Sequence, residues 1–209
     1  MTDKRPVLYH SPQTRGGTTL WMNEELGNVC DIKLIDLKVG DAQTPDYLAI
    51  NPMGKIPSLT HDGVVVTEAA AICAYLADAF PDKGLAPAFN DPARGAYFRY
   101  IFYAPSCIEP MMLDKFGGVT RENPSSVGHG SYEKTMVVIN AALEEGPFLL
   151  GDTFSAADIV FGSTLRFATL FGAIPKEGSV SGYIDRLTDR TAFKAAETKT
   201  AEHLKILGS

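Results

Sequence analysis

No Cys-x-x-Cys pair occurs in this chain, and its three cysteines, Cys30, Cys73 and Cys107, lie far apart. An odd number at such spacing supports neither a dithiol redox pair nor a zinc knuckle. Each reads as a small buried hydrophobe. Excess positive charge is missing as well. Nineteen Lys and Arg against 25 Asp and Glu give a net charge of −6, the wrong sign for a nucleic-acid partner, whose phosphates call for a basic face. Long apolar runs are also scarce. The most apolar stretch, residues 159–174, is broken by Ser163, Thr164, Arg166 and Thr169, too short and too polar to span a bilayer. The first residues, MTDKRPVLYH, lack the apolar centre of an export signal. These features predict a cytoplasmic protein with no membrane partner. The four histidines, His10, His61, His129 and His203, show no metal-ligand spacing, so no metal is expected. No internal repeat and no low-complexity tract is seen.

What is present is apolar material, 45% of 209 residues, enough for a core without staples. Residues 6–10 read as a strand. A polar stretch, SPQTRGG, leads into TLWMNEELG, a helix with Gly27 as its natural stop. IKLIDL, residues 32–37, reads as a second strand. Thr44 caps a short helix with Pro45 at its first position, ending before Asn51-Pro52. Strands at 57–60 and 64–66 are joined by His61-Asp62-Gly63, a hairpin signal. Thr67 then caps the alanine-rich helix EAAAICAYLADAF. A strand–helix–strand unit followed by a hairpin predicts a mixed four-stranded sheet with helices on both faces.

Beyond Pro81, Pro87 and Pro92 the strand signals stop. A long aromatic helix is expected over 93–116, bent at Pro105 and Pro110. A loop follows over 117–130, then helices at 132–145, 155–171, 182–187 and 192–207. The 155–171 helix is apolar on nearly all sides, which marks a central position. The expected organisation is an α/β domain over 1–82, a linker over 83–92 and an all-helical domain over 93–209.

Three local motifs carry chemistry. In Lys55-Ile56-Pro57-Ser58, a proline opens a strand directly after a turn. If the Ile56–Pro57 bond is cis, the backbone groups of Ile56 face outward at a sheet edge, where an extended peptide can pair by strand addition. A trans proline in an ordinary turn is the alternative. At Glu68-Ala69 the first-turn amides and dipole of a helix favour a carboxylate. Glu68 either binds a ligand ammonium or merely suits its own helix. Ser155 and Asp158, with Phe154 and Ile159 around them, form a capping box and staple, a structural signature.

The segments LYHSPQTRGGTTLWMNEELG, NPMGKIPSL, VVVTEAAAICAYLADAFP and GDTFSAADIVFG occur in an order and spacing that resembles the glutathione S-transferase superfamily. The bacterial beta-like cytosolic transferases are the nearest group. The resemblance implies a thioredoxin-like N-terminal domain with cis-Pro57, an all-helical second domain and a homodimer. It implies transfer of glutathione, as co-substrate, to a small hydrophobic electrophile. A non-catalytic glutathione-binding carrier, stress or scaffold protein is the alternative, since fold does not fix function. By position, Ile56 would pair with the cysteinyl backbone, Glu68 and Ala69 would hold the γ-glutamyl end, and Lys55 would lie near the glycyl carboxylate. Many relatives have serine where Ala69 stands.

Beta-class members carry a cysteine in the loop after the first strand, and that position here is Arg15. Three hydroxyls therefore compete to stabilise the glutathione thiolate. Thr14, next to Arg15, ranks first, with Tyr9 and Ser11 behind it. The second substrate is expected between the domains, against Phe102, Tyr103, Ser106, Glu109, Met112 and Leu113. Cys107 lies in the same segment.

Overall fold

The computed structural model describes residues 4–144 and 146–208. Four strands, β1 (Val7–His10), β2 (Asp31–Leu34), β3 (Ser58–His61) and β4 (Val64–Thr67), form one sheet in the order β2-β1-β3-β4. β1 pairs parallel with β2 and antiparallel with β3, and β3 pairs antiparallel with β4. This is the mixed sheet expected from the order of the elements. Helices α1 (Gly16–Glu25), α2 (Pro45–Leu48) and α3 (Ala69–Ala79) complete the pattern. Thr44 caps α2 through its side chain with Pro45 in the first turn, as its sequence predicts. Leu8 and Leu59 of the sheet, Leu20, Met22 and Leu26 of the first helical segment, and Ile72, Cys73 and Leu76 of α3 are fully buried.

The remaining helices are α4 (Arg94–Tyr103), α5 (Glu109–Phe116), α6 (Tyr132–Glu144), α7 (Ala156–Leu170), α8 (Gly178–Thr188) and α9 (Thr191–Ile206). Glu145, included in the helix expected over 132–145, lies outside the described residues. The single bent helix expected over 93–116 is two helices joined by a π turn, Ala104–Ile108. Pro105 and Pro110 each lack the N–H that an α-helix interior needs, and the wider turn absorbs the loss. α7 starts with the expected capping box, in which Ser155 and Asp158 satisfy one another's backbone amides.

The chain divides into two compact units. The first runs to Lys83 and regains the chain from Arg190 onward, while the second is Gly84–Asp189. The sequence-based boundary placed everything from 93 onward in the helical domain. α9 instead groups with the α/β unit because it packs on α1. The Trp21 and Phe193 rings meet edge to face at 5.1 Å. Arg190 donates to both oxygens of Glu25 at 2.6 and 2.8 Å, and Lys199 reaches Glu24 at 2.5 Å. Among the described residues, no helix is long and apolar enough to cross a membrane.

Candidate functional site

The strand registers bring three separate segments to one end of the sheet. Tyr9 lies opposite Ser58 across β1 and β3, so the loop after β1 and the turn before Pro57 meet the sheet at the same end. Ser58 lies opposite Thr67 across β3 and β4, so the turn before Pro57 and the start of α3 leave the sheet at the same end. The loop after β1, the turn before Pro57 and the start of α3 therefore converge. Ile56 stands between the other two.

The Ile56–Pro57 bond is cis. Among the described residues, the main chain of Ile56 makes no hydrogen bond, which leaves one donor and one acceptor open for an extended ligand backbone. Beneath this turn sits a buried polar network that local sequence reading missed. Tyr47 and Asn51 both donate to the Lys55 carbonyl, at 2.6 and 2.8 Å, and both also contact the Ser58 hydroxyl. The signal was present only as a tyrosine in α2 and an asparagine before Pro52, neither of which reveals its partner. Lys55 itself is exposed.

The cap of α3 differs from the expected one. Thr67 is the last residue of β4, and the cap falls on Glu68, with φ 68° and ψ 123° and no side-chain capping bond. A non-glycine residue in this region is strained by about 1–3 kcal/mol, and such residues concentrate at ligand sites. The twist leaves Glu68 exposed and the first-turn amides of α3, Ala69 among them, without intrahelical partners. Positive helix-end potential and a carboxylate thus stand side by side, a pairing suited to the carboxylate and ammonium of an amino-acid end.

The three candidate hydroxyls occupy different environments. Tyr9 is buried in a cluster with Ile35, Ala42 and Tyr47, its ring edge-to-face with Tyr47 at 5.7 Å. It lines a cavity of about 310 Å³ on the α2 face with Lys33 and Ile50. Thr14 donates its proton to the Ser11 carbonyl at 2.7 Å and accepts the Gly16 amide at 3.0 Å. Ser11 is 4% exposed, and no hydrogen bond of its hydroxyl is found among the described residues. Arg15 is the half-buried residue that precedes α1. Gly16 is required where it stands. A Cβ there would lie 2.8 Å from His10 Nδ1, 3.0 Å from Thr14 Oγ1 and 3.2 Å from Ile56 Cγ2.

His10 was not singled out by sequence. It is fully buried, and among the described residues neither ring nitrogen makes a well-formed hydrogen bond. Burial first, and then the neighbouring His203, hold its pKa down to about 4, while the Gly16 backbone pulls weakly the other way. Its ring lies 5.2 Å from that of His203 on α9. Among the described residues, no cluster of three or more His, Cys, Asp or Glu side chains could hold a metal ion.

Comparison with known proteins agrees with this arrangement. Residues 16–79 match the family model for the glutathione S-transferase N-terminal domain. The glutathione S-transferase GST-4.5 of Xanthomonas campestris pv. campestris is 32% identical over 143 residues, 64% of this chain and 70% of that protein. A probable maleylacetoacetate isomerase of Caenorhabditis elegans is 30% identical over 206 residues, 94% of each chain. The chain belongs to the glutathione S-transferase superfamily. A solved structure of a glutathione transferase homologue from Sulfitobacter, with bound glutathione, superposes with a TM-score of 0.71 at 25% identity, over 93% of this chain and 98% of that one.

In this member of the glutathione S-transferase superfamily, the residues expected to meet a second substrate lie along α4, the π turn and α5 of the helical unit. Phe102 stacks on Phe98 at 6.0 Å, and both are exposed, as is Leu113. Ser106 is exposed and donates back to the Phe102 carbonyl at 2.5 Å. Glu109 is half-buried. The Tyr103 hydroxyl is half-buried, and its pKa is raised by burial first and then by the adjacent Cys107. Cys107 donates to the Gly128 carbonyl at 3.6 Å. Met112, 2% exposed, packs into the core of its unit.

Proposed function

We propose that this chain is a cytoplasmic, homodimeric glutathione S-transferase that activates the glutathione thiolate for attack on small hydrophobic electrophiles. One observation carries the reading: the unpaired main chain of Ile56 lies at the same end of the sheet as the uncapped start of α3. The cysteinyl backbone of glutathione pairs with Ile56 beside cis-Pro57. Its γ-glutamyl carboxylate takes the Ala69 amide and its ammonium takes Glu68, with Lys55 near the glycyl carboxylate. A similar structure from Sulfitobacter holds bound glutathione, which supports glutathione as the ligand.

The sulfur then faces the loop after β1. A free thiol has a pKa of about 8.5, and each unit of depression needs about 1.4 kcal/mol. One hydrogen bond to an anion supplies about 1.5–3 kcal/mol, so a single hydroxyl suffices for one to two units. We assign that role to Ser11, whose proton is uncommitted. Thr14 holds the turn that presents it, and Arg15 adds positive field. Tyr9 serves packing. In the reaction, the thiol proton leaves to solvent and the thiolate pair forms the new sulfur–carbon bond. In a substitution, the departing group leaves with the pair of the broken bond. Phe102, Tyr103, Ser106, Glu109 and Leu113 are our candidates for the second-substrate wall.

Calorimetry with glutathione, followed by conjugation of an activated aryl chloride, tests the proposal. The expected result is saturable glutathione binding and turnover that depends on it. Binding without turnover of any electrophile would favour the carrier reading, and absence of binding would reject both. The likeness to a probable maleylacetoacetate isomerase makes glutathione-dependent isomerisation the second assay to run.

A further inference from the structure

Tyr47, Asn51 and Ser58 are 3%, 4% and 0% exposed, and their hydrogen bonds can be assigned proton by proton. Asn51 Oδ1 accepts the Met53 amide at 3.1 Å, which fixes the orientation of the side-chain amide. Nδ2 then donates to the Lys55 carbonyl at 2.8 Å and to Ser58 Oγ at 3.3 Å. Tyr47 has one proton, and it goes to the same carbonyl at 2.6 Å. In the 2.9 Å contact between Tyr47 and Ser58, the serine is therefore the donor. Burial raises the Tyr47 pKa, with Tyr9 adding to it, so the phenol stays protonated as a donor. Both lone pairs of the Lys55 oxygen are filled from inside the fold.

A peptide unit is planar. The Lys55 carbonyl and the Ile56 N–H share one plane and, across a trans bond, point in opposite directions. Two donors holding the oxygen inward therefore hold the Ile56 N–H outward. Ser58, two residues later, ties the other flank of the Ile56–Pro57 pair to the same network. The direction of this network serves a main-chain residue, Ile56, that makes no hydrogen bond among the described residues.

We propose that Tyr47, with Asn51 and Ser58, is a positioning residue for glutathione. It never touches the ligand, but it aims the Ile56 main chain at the cysteinyl backbone. The inference rests on the glutathione reading of the site. Tyr47→Phe keeps the ring and removes one donor. Asn51→Asp keeps the acceptor for Met53 and removes the other donor. For each variant, the Kd for glutathione, the Kd for S-methylglutathione, the kinetic constants and the ligand-free Tm are measured. Tyr47→Phe should raise Kd and KM for glutathione about three- to tenfold, with kcat within about twofold and the pH–rate profile unmoved. S-methylglutathione, which lacks the thiol but keeps the backbone, should weaken by the same factor. Asn51→Asp should weaken both ligands at least as much; should it fail to fold, Tyr47→Phe decides alone. If Tyr47→Phe binds both ligands as tightly as the unsubstituted protein while its Tm falls, the network serves stability only and the positioning role is overturned. If the unsubstituted protein does not bind glutathione, the reading of the site itself fails, and the positioning role with it.

Discussion

Two hydroxyls share the turn that leads from β1 into α1, and they differ in what their protons are doing. The Thr14 proton is held by the Ser11 carbonyl while its oxygen takes the Gly16 amide, so recruiting it to a thiolate would break a bond that shapes the loop. The Ser11 proton carries no such cost. Ser11→Ala should therefore lower kcat/KM about tenfold, the loss of about 1.4 kcal/mol, and raise the pKa of bound glutathione by about one unit, read from thiolate absorbance. Thr14→Ala should lower Tm and leave that pKa nearly unmoved. The reverse pattern would return the role to Thr14, the residue that sequence alone ranks first. His10 makes a second test at this scale. Its folded pKa of about 4 lies below the unfolded value of about 6.5. Below pH 6.5 the unfolded chain binds the proton before the folded chain does. Stability is therefore whole above about pH 6.5 and declines toward pH 4, by roughly 3 kcal/mol in all. The shift of His203, lowered by burial with Glu202 opposing and Lys199 assisting, has the same sign. His10→Phe should flatten the fall in Tm between pH 7 and pH 5, and an unchanged slope would show that other groups dominate.

At the scale of elements, legibility followed locality. The cap and proline of α2, the hairpin between β3 and β4 and the capping box of α7 are each set within a few residues, and each was readable. The start of α3 was misplaced by one residue because the positive φ of Glu68 runs against local preference. The network around Lys55 was invisible because its members come together only when α2 docks under the turn. The π turn after α4 was half legible. Two prolines announced a break, but not its form. α7 offers the clearest energetic test. Asp158 is fully buried and accepts from the Leu149 and Ser155 amides and the Tyr183 hydroxyl, each at 2.9 Å, and from the Ser155 hydroxyl at 3.2 Å. Asp158→Ala leaves those donors without an acceptor, at about 3 kcal/mol or more, or roughly 6–12 °C in Tm. A fall under about 2 °C would mean that water replaces the carboxylate.

At the scale of the whole molecule, the decisive feature is the return of α9 to the first unit. No local pattern could show it, because Arg190 and Glu25 are 165 residues apart. Trp21, the only tryptophan in the sequence, is 2% exposed and lies against Phe193, with its indole N–H on Glu25. Glu24 and Glu25 in turn depend on Lys199 and Arg190, with only 6% and 8% of their side chains exposed. Removing α9 would uncover the indole and strip Glu25 and Glu24 of the cations they pair with. A chain ending at Asp189 should show red-shifted tryptophan emission, a lower Tm and weaker glutathione binding, since α1 begins in the loop that presents Ser11. Arg190→Ala should show the same shifts at smaller size, about 1–3 kcal/mol. If the shortened chain kept its emission maximum and its glutathione affinity, α1 would be held by the sheet and α3 alone, and α9 would be an accessory rather than part of the glutathione-binding unit.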